Sequence, residues 1–229
     1  MRLIAWGGGL AFLGSLAWCG YFYTVVLGRP PAGSDHLARH LTIDFLLFAA
    51  FGLHHSVFAR ERVKHAVTRL VPPALERSLF VWTASALLAL VGLAWQPVPG
   101  GELYGLTGTA MWLALGVQGL GLALTIRTAA LLDVLELAGI RQASGQTRPA
   151  QTKIVGPYRW IRHPLYLGWL LFVFGTPVMT ADRLAFALMS AVYLMVGIPF
   201  EERSLVGSLG EPYREYMRSV KWRVVPFVY

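Results

Sequence analysis

Cysteine is nearly absent from this chain: Cys19 stands alone among 229 residues. One thiol excludes an intrachain disulfide framework and a cysteine metal cluster, and it leaves the redox compartment unreadable. Charge is scarce as well, at 14% of residues, and acids (12) are fewer than lysines and arginines (20). No strand precedes "GGG" at 7–9 or "GLGLAL" at 119–124, so a Rossmann donor site has no support. Those glycines are expected to let helices pack closely. There is also no internal repeat, which argues against a transporter built from two related halves.

What the chain has in quantity is apolar sequence. It is 55% hydrophobic with a mean hydropathy of +0.53, too apolar for a soluble domain of this length. The expectation is an all-α, polytopic integral membrane protein forming a single membrane domain over 1–229. Six stretches carry the spans: Leu3 to Leu27, Leu37 to Phe58, Ser78 to Trp95, Thr109 to Leu132, Pro164 to Met179 and Leu184 to Phe200. Crossing a bilayer takes roughly 20 helical residues, so the last two stretches are short and are predicted to form a tight helical hairpin joined by "TADR". No small-residue cleavage site follows Arg2 and the first apolar run, which predicts a retained helix rather than a signal peptide.

The formal charge of +8 comes in short blocks between apolar stretches, a pattern that points away from nucleic acid and toward anionic headgroups or an anionic ligand. Sixteen of the 20 basic residues fall in alternate segments: before the first stretch, between the second and third, between the fourth and fifth, and after the sixth. The other side holds Arg29, Arg39 and Arg183, while Arg127 lies within the fourth stretch. The positive-inside rule then puts both termini in the cytoplasm, together with the segments 156–169 and 200–229. A hairpin between those segments would bring them to one membrane face.

Local chemistry concentrates there. In "IRHPLY" the proline biases His163 away from helical geometry and suits a first helical turn, so a helix is predicted to start at Pro164. An open helix start beside Arg162 and His163 favours a carboxylate or phosphate. Further on, Leu205, Leu209, Tyr213, Tyr216 and Val220 recur at steps of three and four with basic residues between them. This predicts an amphipathic tail helix, broken near Gly210 to Pro212. Glu201 and Glu202 stand where a span is expected to end, where the helix dipole disfavours acids, so they need cationic partners. The same residues also fit a set of interfacial anchors with two solvated glutamates.

The order "GPYRWIRHPLYLG", then "EERSL", then "GEPYREYMRSV", separated by one hairpin, resembles the membrane methyltransferases related to isoprenylcysteine carboxyl methyltransferase. "LHHSVFAR", "VPPALERS", "ELAGIRQ", "GTPVMTADRLAFA" and "YLMVGIPFEERSL" look like the branch that methylates methanethiol on sulfur. Two segments depart from that branch, "DVLEL" at 133–137 and the final "VKWRVVPFVY", and they bear on the acceptor more than on the donor.

The resemblance implies N-terminal transmembrane helices over 1–107 and a methyltransferase core over 108–229, with donor-binding motifs at 156–169 and 200–220. It implies S-adenosylmethionine as donor and S-adenosylhomocysteine as product. Carried over, the donor pocket uses Tyr158, Arg162, His163, Tyr166, Gly168, Glu201, Glu202 and Leu205, with Tyr213 and Tyr216 closing its wall. Arg162 suits the donor carboxylate, and Glu201 or Glu202 suits its ammonium or ribose hydroxyls. Arg162 and His163 are the catalytic candidates; His163 is either a base or electrostatic helper for the acceptor or a structural support for its loop. The acceptor implied is a small hydrophobic thiol, with a prenylated cysteine carboxylate or a phospholipid amine as alternatives. A non-catalytic transporter or assembly protein is the alternative of another class. The partners are the lipid bilayer and that acceptor, with no nucleic acid, and oligomeric state is not readable.

Outside the motifs, His54 and His55 are adjacent and so do not share a helix face, and no third ligand has metal-site spacing. They are expected to be interfacial or acceptor-side. Asp133 and Glu136 either border the acceptor or pair with Arg141. Asp44, an acid inside a span, is either functional or a hydrogen-bonded structural group.

Overall fold

The computed structural model describes residues 1–29, 36–58, 60–146 and 154–229. Arg148 and Lys153, counted above in a basic segment, lie outside them. In chain order the elements are α1 (Arg2–Tyr21), a π-helical turn (Phe22–Val26), α2 (Leu37–Val57), α3 (Glu61–Val67), α4 (Pro73–Ala94), β1 (Glu102–Gly105), α5 (Gly108–Leu131), α6 (Val134–Leu137) and α7 (Ile140–Ala143). There follow a 3₁₀ turn (Gly156–Arg159), α8 (Pro164–Phe174), β2 (Val178–Thr180), α9 (Ala181–Leu209) and α10 (Glu211–Ser219). The two strands form a small sheet in an otherwise helical chain.

Among the described residues five helices are long and apolar enough to cross a membrane: Arg2–Val26, Leu37–Val57, Pro73–Ala94, Gly108–Leu131 and Ala181–Leu209. Their outward surfaces carry large apolar side chains such as Leu93, Trp112, Leu113 and Leu120, a surface suited to lipid rather than water. The expected fifth span is shorter than its hydropathy suggests. α8 has 11 residues, about 16 Å of helix, against a hydrocarbon core of roughly 30 Å. Gly175 caps it, and Pro177 cannot continue a helical ladder. The expected last span is longer: α9 runs through Pro199 to Leu209 and ends at Gly210, whose φ of 67° is open to glycine and strained for other residues. Glu201 and Glu202 therefore lie inside a continuing helix.

The chain divides into two compact units. Unit 1 comprises Met1–Leu103, Val134–Thr147 and Met179–Ser190. Its seam between α1 and α4 is closest at Gly7 and Gly8, where a methyl group on Gly8 would lie 3.2 Å from the Trp82 ring, whose Nε1 donates to the Ile4 carbonyl at 3.0 Å, while Gly9 faces Ile140 and Ala138. Arg77, at the start of α4, donates from Nε to the Leu137 carbonyl and from its backbone to the Gln142 side chain, tying down α6 and α7. Asp44 is fully buried and accepts from the Gln96 backbone at 2.7 Å, which gives it a structural role. Asp182 accepts from Trp95 Nε1 and from the Val98 backbone, so the turn after α4 is held by two acids. Arg183 is buried and donates to the carbonyls of Tyr23 and Thr24 in the π-helical turn.

Unit 2 comprises Tyr104–Asp133, Arg148–Val178 and Ala191–Tyr229. α5 and α8 meet across Gly121 and Gly168. A methyl group on Gly121 would lie 2.5 Å from the Phe172 nitrogen, and one on Gly168 would lie 2.8 Å from the Gly121 carbonyl oxygen. Gln118 Nε2 caps the contact by donating to the Phe172 carbonyl.

Candidate active site

The chemistry of unit 2 gathers around the start of α8. His163 is the residue before Pro164, non-helical at φ −123°, and the helix begins at the proline as the sequence predicts. The three residues before it are laced to the tail. Ile161 bridges to Trp222 in parallel, the Arg162 N–H donates to the Trp222 carbonyl at 2.9 Å, and the His163 N–H donates to the Arg223 carbonyl at 2.8 Å. Backbone pairing thus fixes where both side chains project.

Glu202 is the hub. Its Oε1 accepts from Arg162 Nε at 2.6 Å and faces His163 Nε2 at 3.2 Å, while Oε2 accepts from Arg223 Nε at 3.2 Å. Glu202, Arg162 and His163 are all under one-tenth exposed. Burying these charges is tolerable because nearly every donor is met. Arg162 Nη1 also donates to the carbonyls of Val220 and Lys221, at 2.8 and 3.1 Å. Its neighbour in sequence behaves differently: Glu201 is exposed, accepts from the Tyr166 hydroxyl at 2.5 Å and lies 3.7 Å from His163 Nδ1. The His163 and Tyr166 rings stack at 5.1 Å, nearly parallel.

α10 closes the arrangement with the amphipathic pattern expected of the tail. Tyr213, Tyr216 and Val220 are buried against Leu205, Val206, Leu209 and Met217, while Arg214 and Arg218 reach Glu211 on the outer face. The Tyr216 hydroxyl donates to the Tyr158 carbonyl at 2.8 Å. Burial, and next the charge on Glu201, push the Tyr158 phenol up to about 12. Burial first, then neighbouring glutamates and phenols, also raise Tyr213 and Tyr216. These phenols therefore stay protonated at physiological pH, and the Tyr216 hydroxyl acts as a donor.

A cleft of about 290 Å³ opens beside the hub, lined by Pro199, Glu202, Arg203, Val206, Met217 and Arg223. It offers two cations, a carboxylate and an apolar wall. The motif residues Tyr158, Arg162, His163, Tyr166, Glu201, Glu202, Leu205, Tyr213 and Tyr216 are thus brought together, while Gly168 faces α5. Arg203 and Arg223 are not among the site residues expected from the sequence; Arg203 is read there as part of the polar face of the tail helix, and Arg223 only as part of a basic block that signals orientation. In unit 1, His54 lines a separate cavity, whereas His55 and Glu136 are exposed.

Comparison with known proteins carries the identification. The model of the isoprenylcysteine carboxyl methyltransferase family matches residues 117–207, which contain the hub and the α8 start. Methanethiol S-methyltransferase 2 of Bradyrhizobium diazoefficiens is 34% identical over 92% of this chain and 83% of its own length. The methanethiol S-methyltransferase of Mycobacterium tuberculosis is 32% identical over 95% of this chain and 88% of its own. A more distant relative, Nurim of Xenopus laevis, is 29% identical over 77% of this chain and 63% of its own. No solved structure matches. Fold and relatives define a multi-pass membrane methyltransferase that takes a methyl donor. The chain belongs to the isoprenylcysteine carboxyl methyltransferase family, which confirms the resemblance drawn from its motifs.

Proposed function

We propose that the chain transfers the methyl group of S-adenosylmethionine to a small thiol of the methanethiol class, at a site on the cytoplasmic side with both termini on that side. The observation that carries the donor assignment is the cleft beside Glu202, where cations, an acid and an apolar wall converge. The donor supplies a methyl group on a positively charged sulfur, displaced in line. Its amino-acid end needs a cation and an anion, and its adenine needs apolar surface. On the cleft wall Arg223 and Arg203 suit the carboxylate, Glu202 suits the ammonium or a ribose hydroxyl, and Val206, Met217 and Pro199 suit the base; Glu201, held by the Tyr166 hydroxyl, is outside that lining. Arg162 then supports the site by holding Glu202, because its polar atoms are already engaged with that carboxylate and with the tail carbonyls.

The thiol sulfur forms a bond to the methyl carbon as the donor's carbon–sulfur bond breaks. The thiol proton leaves, and the products are a thioether and S-adenosylhomocysteine. Alignment supplies most of the acceleration in such a displacement. His163 is positioned by Glu202 and by its stack on Tyr166, which suits an electrostatic helper or proton acceptor.

Labelled donor supplied with methanethiol, a prenylcysteine and phosphatidylethanolamine tests the reading. Label in a volatile thioether is the expected result. Label on the carboxylate or the lipid amine moves the acceptor to one of those classes. No transfer together with no donor binding overturns the enzymatic reading in favour of a transporter or assembly role. Reporter fusions at each terminus test the orientation.

A further inference from the structure

We propose that Tyr229 is a positioning residue for Arg223, and that the loop 223–229 is a clasp holding that guanidinium at the cleft for the carboxylate of the donor's amino-acid end. This rests on the reading of the cleft as the donor site. The loop closes on a single atom. The backbone N–H groups of Arg223, Val224 and Val225 all donate to the Tyr229 backbone oxygen, at 2.9, 2.9 and 3.2 Å. The N–H groups of Val228 and Tyr229 donate back to the Val225 carbonyl, at 3.1 and 3.0 Å. Successive N–H groups converging on one oxygen form a concave nest that fixes the backbone around it. Closure is tight enough to hold Phe227 at φ 66°, a left-handed conformation that a bulky residue rarely adopts.

The fold-back lays two rings on two consecutive residues. Phe227 packs on Trp222 with ring centroids 5.1 Å apart, and the Tyr229 ring lies against the Arg223 guanidinium, 5.0 Å from centroid to Cζ. Trp222 and Arg223 are the residues whose carbonyls accept from the Arg162 and His163 N–H groups. The clasp is therefore built on the same backbone pairing that places the hub.

Arg223 is fixed on two sides. Its Nε donates to Glu202, and its face lies on the Tyr229 ring, whose quadrupole attracts the cation. The two terminal nitrogens have no partner among the described residues, and the side chain lines the cleft while one-third exposed. Those nitrogens are the pair that can grip a carboxylate end-on. Arg203, the other cation of the cleft, is exposed and has no acid partner among the described residues. A free arginine loses side-chain freedom when it grips a ligand, whereas one already held does not. Removing the Tyr229 ring should therefore cost affinity through the ligand's carboxylate alone.

The test compares S-adenosylhomocysteine with its decarboxylated analogue, which keeps the nucleoside, the sulfur and the ammonium. Both are titrated calorimetrically into the full-length protein in phosphatidylcholine nanodiscs. Tyr229→Leu removes the ring and leaves the backbone oxygen; it is expected to weaken S-adenosylhomocysteine about tenfold and to keep the analogue within about twofold of its unsubstituted affinity. Tyr229→Phe keeps the aromatic face and should bind both ligands as the unsubstituted protein does. Arg223→Met should lose the preference for the carboxylate, and adding Tyr229→Leu to it should change nothing further. Equal weakening of both ligands by Tyr229→Leu, or a further loss on top of Arg223→Met, makes Tyr229 a general support of the fold and overturns the proposal. So does S-adenosylhomocysteine affinity that is unchanged in Tyr229→Leu, or that falls as far in Tyr229→Phe. Equal affinity of the unsubstituted protein for the two ligands also overturns it and leaves the donor reading standing, whereas no binding of S-adenosylhomocysteine at all overturns the donor reading itself.

Discussion

Two acids on the same helix are buried in opposite ways. Asp182 stands in the first turn of α9, where the helix dipole favours a negative charge, and its recorded donors are neutral: an indole N–H and a backbone N–H. Glu202 stands two turns before the other end, inside the helix and beyond the reach of its dipole, and its partners are two arginines and a histidine. Both are under one-twentieth exposed. The difference teaches that burial alone does not assign an acid its role. Asp182 is met by neutral hydrogen-bond donors, and Glu202 is met by two guanidinium groups and an imidazole.

Replacing charge while keeping shape should break the second region most. Glu202→Gln leaves two guanidinium groups facing an amide, and losing one partner of a buried ion pair costs about 3–5 kcal/mol. The expected outcome is a large fall in the thermal unfolding midpoint in detergent together with loss of donor binding. Arg162→Met combined with Glu202→Leu should recover much of the stability but none of the binding, since a well-packed apolar pair can replace a buried ion pair. Normal donor binding in Glu202→Gln would show that the hub does not shape the cleft.

Next in size is Asp182→Ala. It strands the Trp95 indole and the Val98 N–H, and unmet buried donors cost about 1–3 kcal/mol. Unfolding should come earlier, with donor affinity per folded molecule unchanged. Arg223→Met should cost less stability, about 1 kcal/mol, because that side chain is one-third exposed and Glu202 keeps two other partners. Its effect should fall on donor affinity, measured by titration calorimetry. A donor affinity equal to that of the unsubstituted protein would remove Arg223 from the carboxylate pocket.

These contrasts also show what the sequence could and could not reveal. The start of α8 was legible because proline acts locally on the residue before it, and the tail helix was legible because its apolar steps of three and four survive any context. The need of Glu202 for cations was read from a helix end that lies instead at Leu209, and burial is what demands them. Which cations supplied it did not: Arg223 belongs to the tail, and its approach depends on strand-like pairing of 161–163 with 222–223 through carbonyls that leave no mark on residue type. The length of α8 was misread because "GTPVM" continues the hydropathy of the span while Gly175 and Pro177 end its helix. The reach of α9 was misread in the other direction, because Pro199 removes one hydrogen bond without stopping a helix.

The smallest expected effect is the sharpest test of the comparison. Asp182→Asn removes the charge but keeps an oxygen that can accept from both the Trp95 indole and the Val98 backbone. If neutral acceptance is what this end of α9 requires, stability should change by no more than about 0.5 kcal/mol, the range of an innocuous substitution. Set beside Glu202→Gln, which is the same chemical change at the other end of the helix, the pair isolates charge from shape. A destabilisation by Asp182→Asn as large as that of Asp182→Ala would mean that the first turn of α9 needs the anion itself, through the dipole or a cation, and the two ends would then obey one rule.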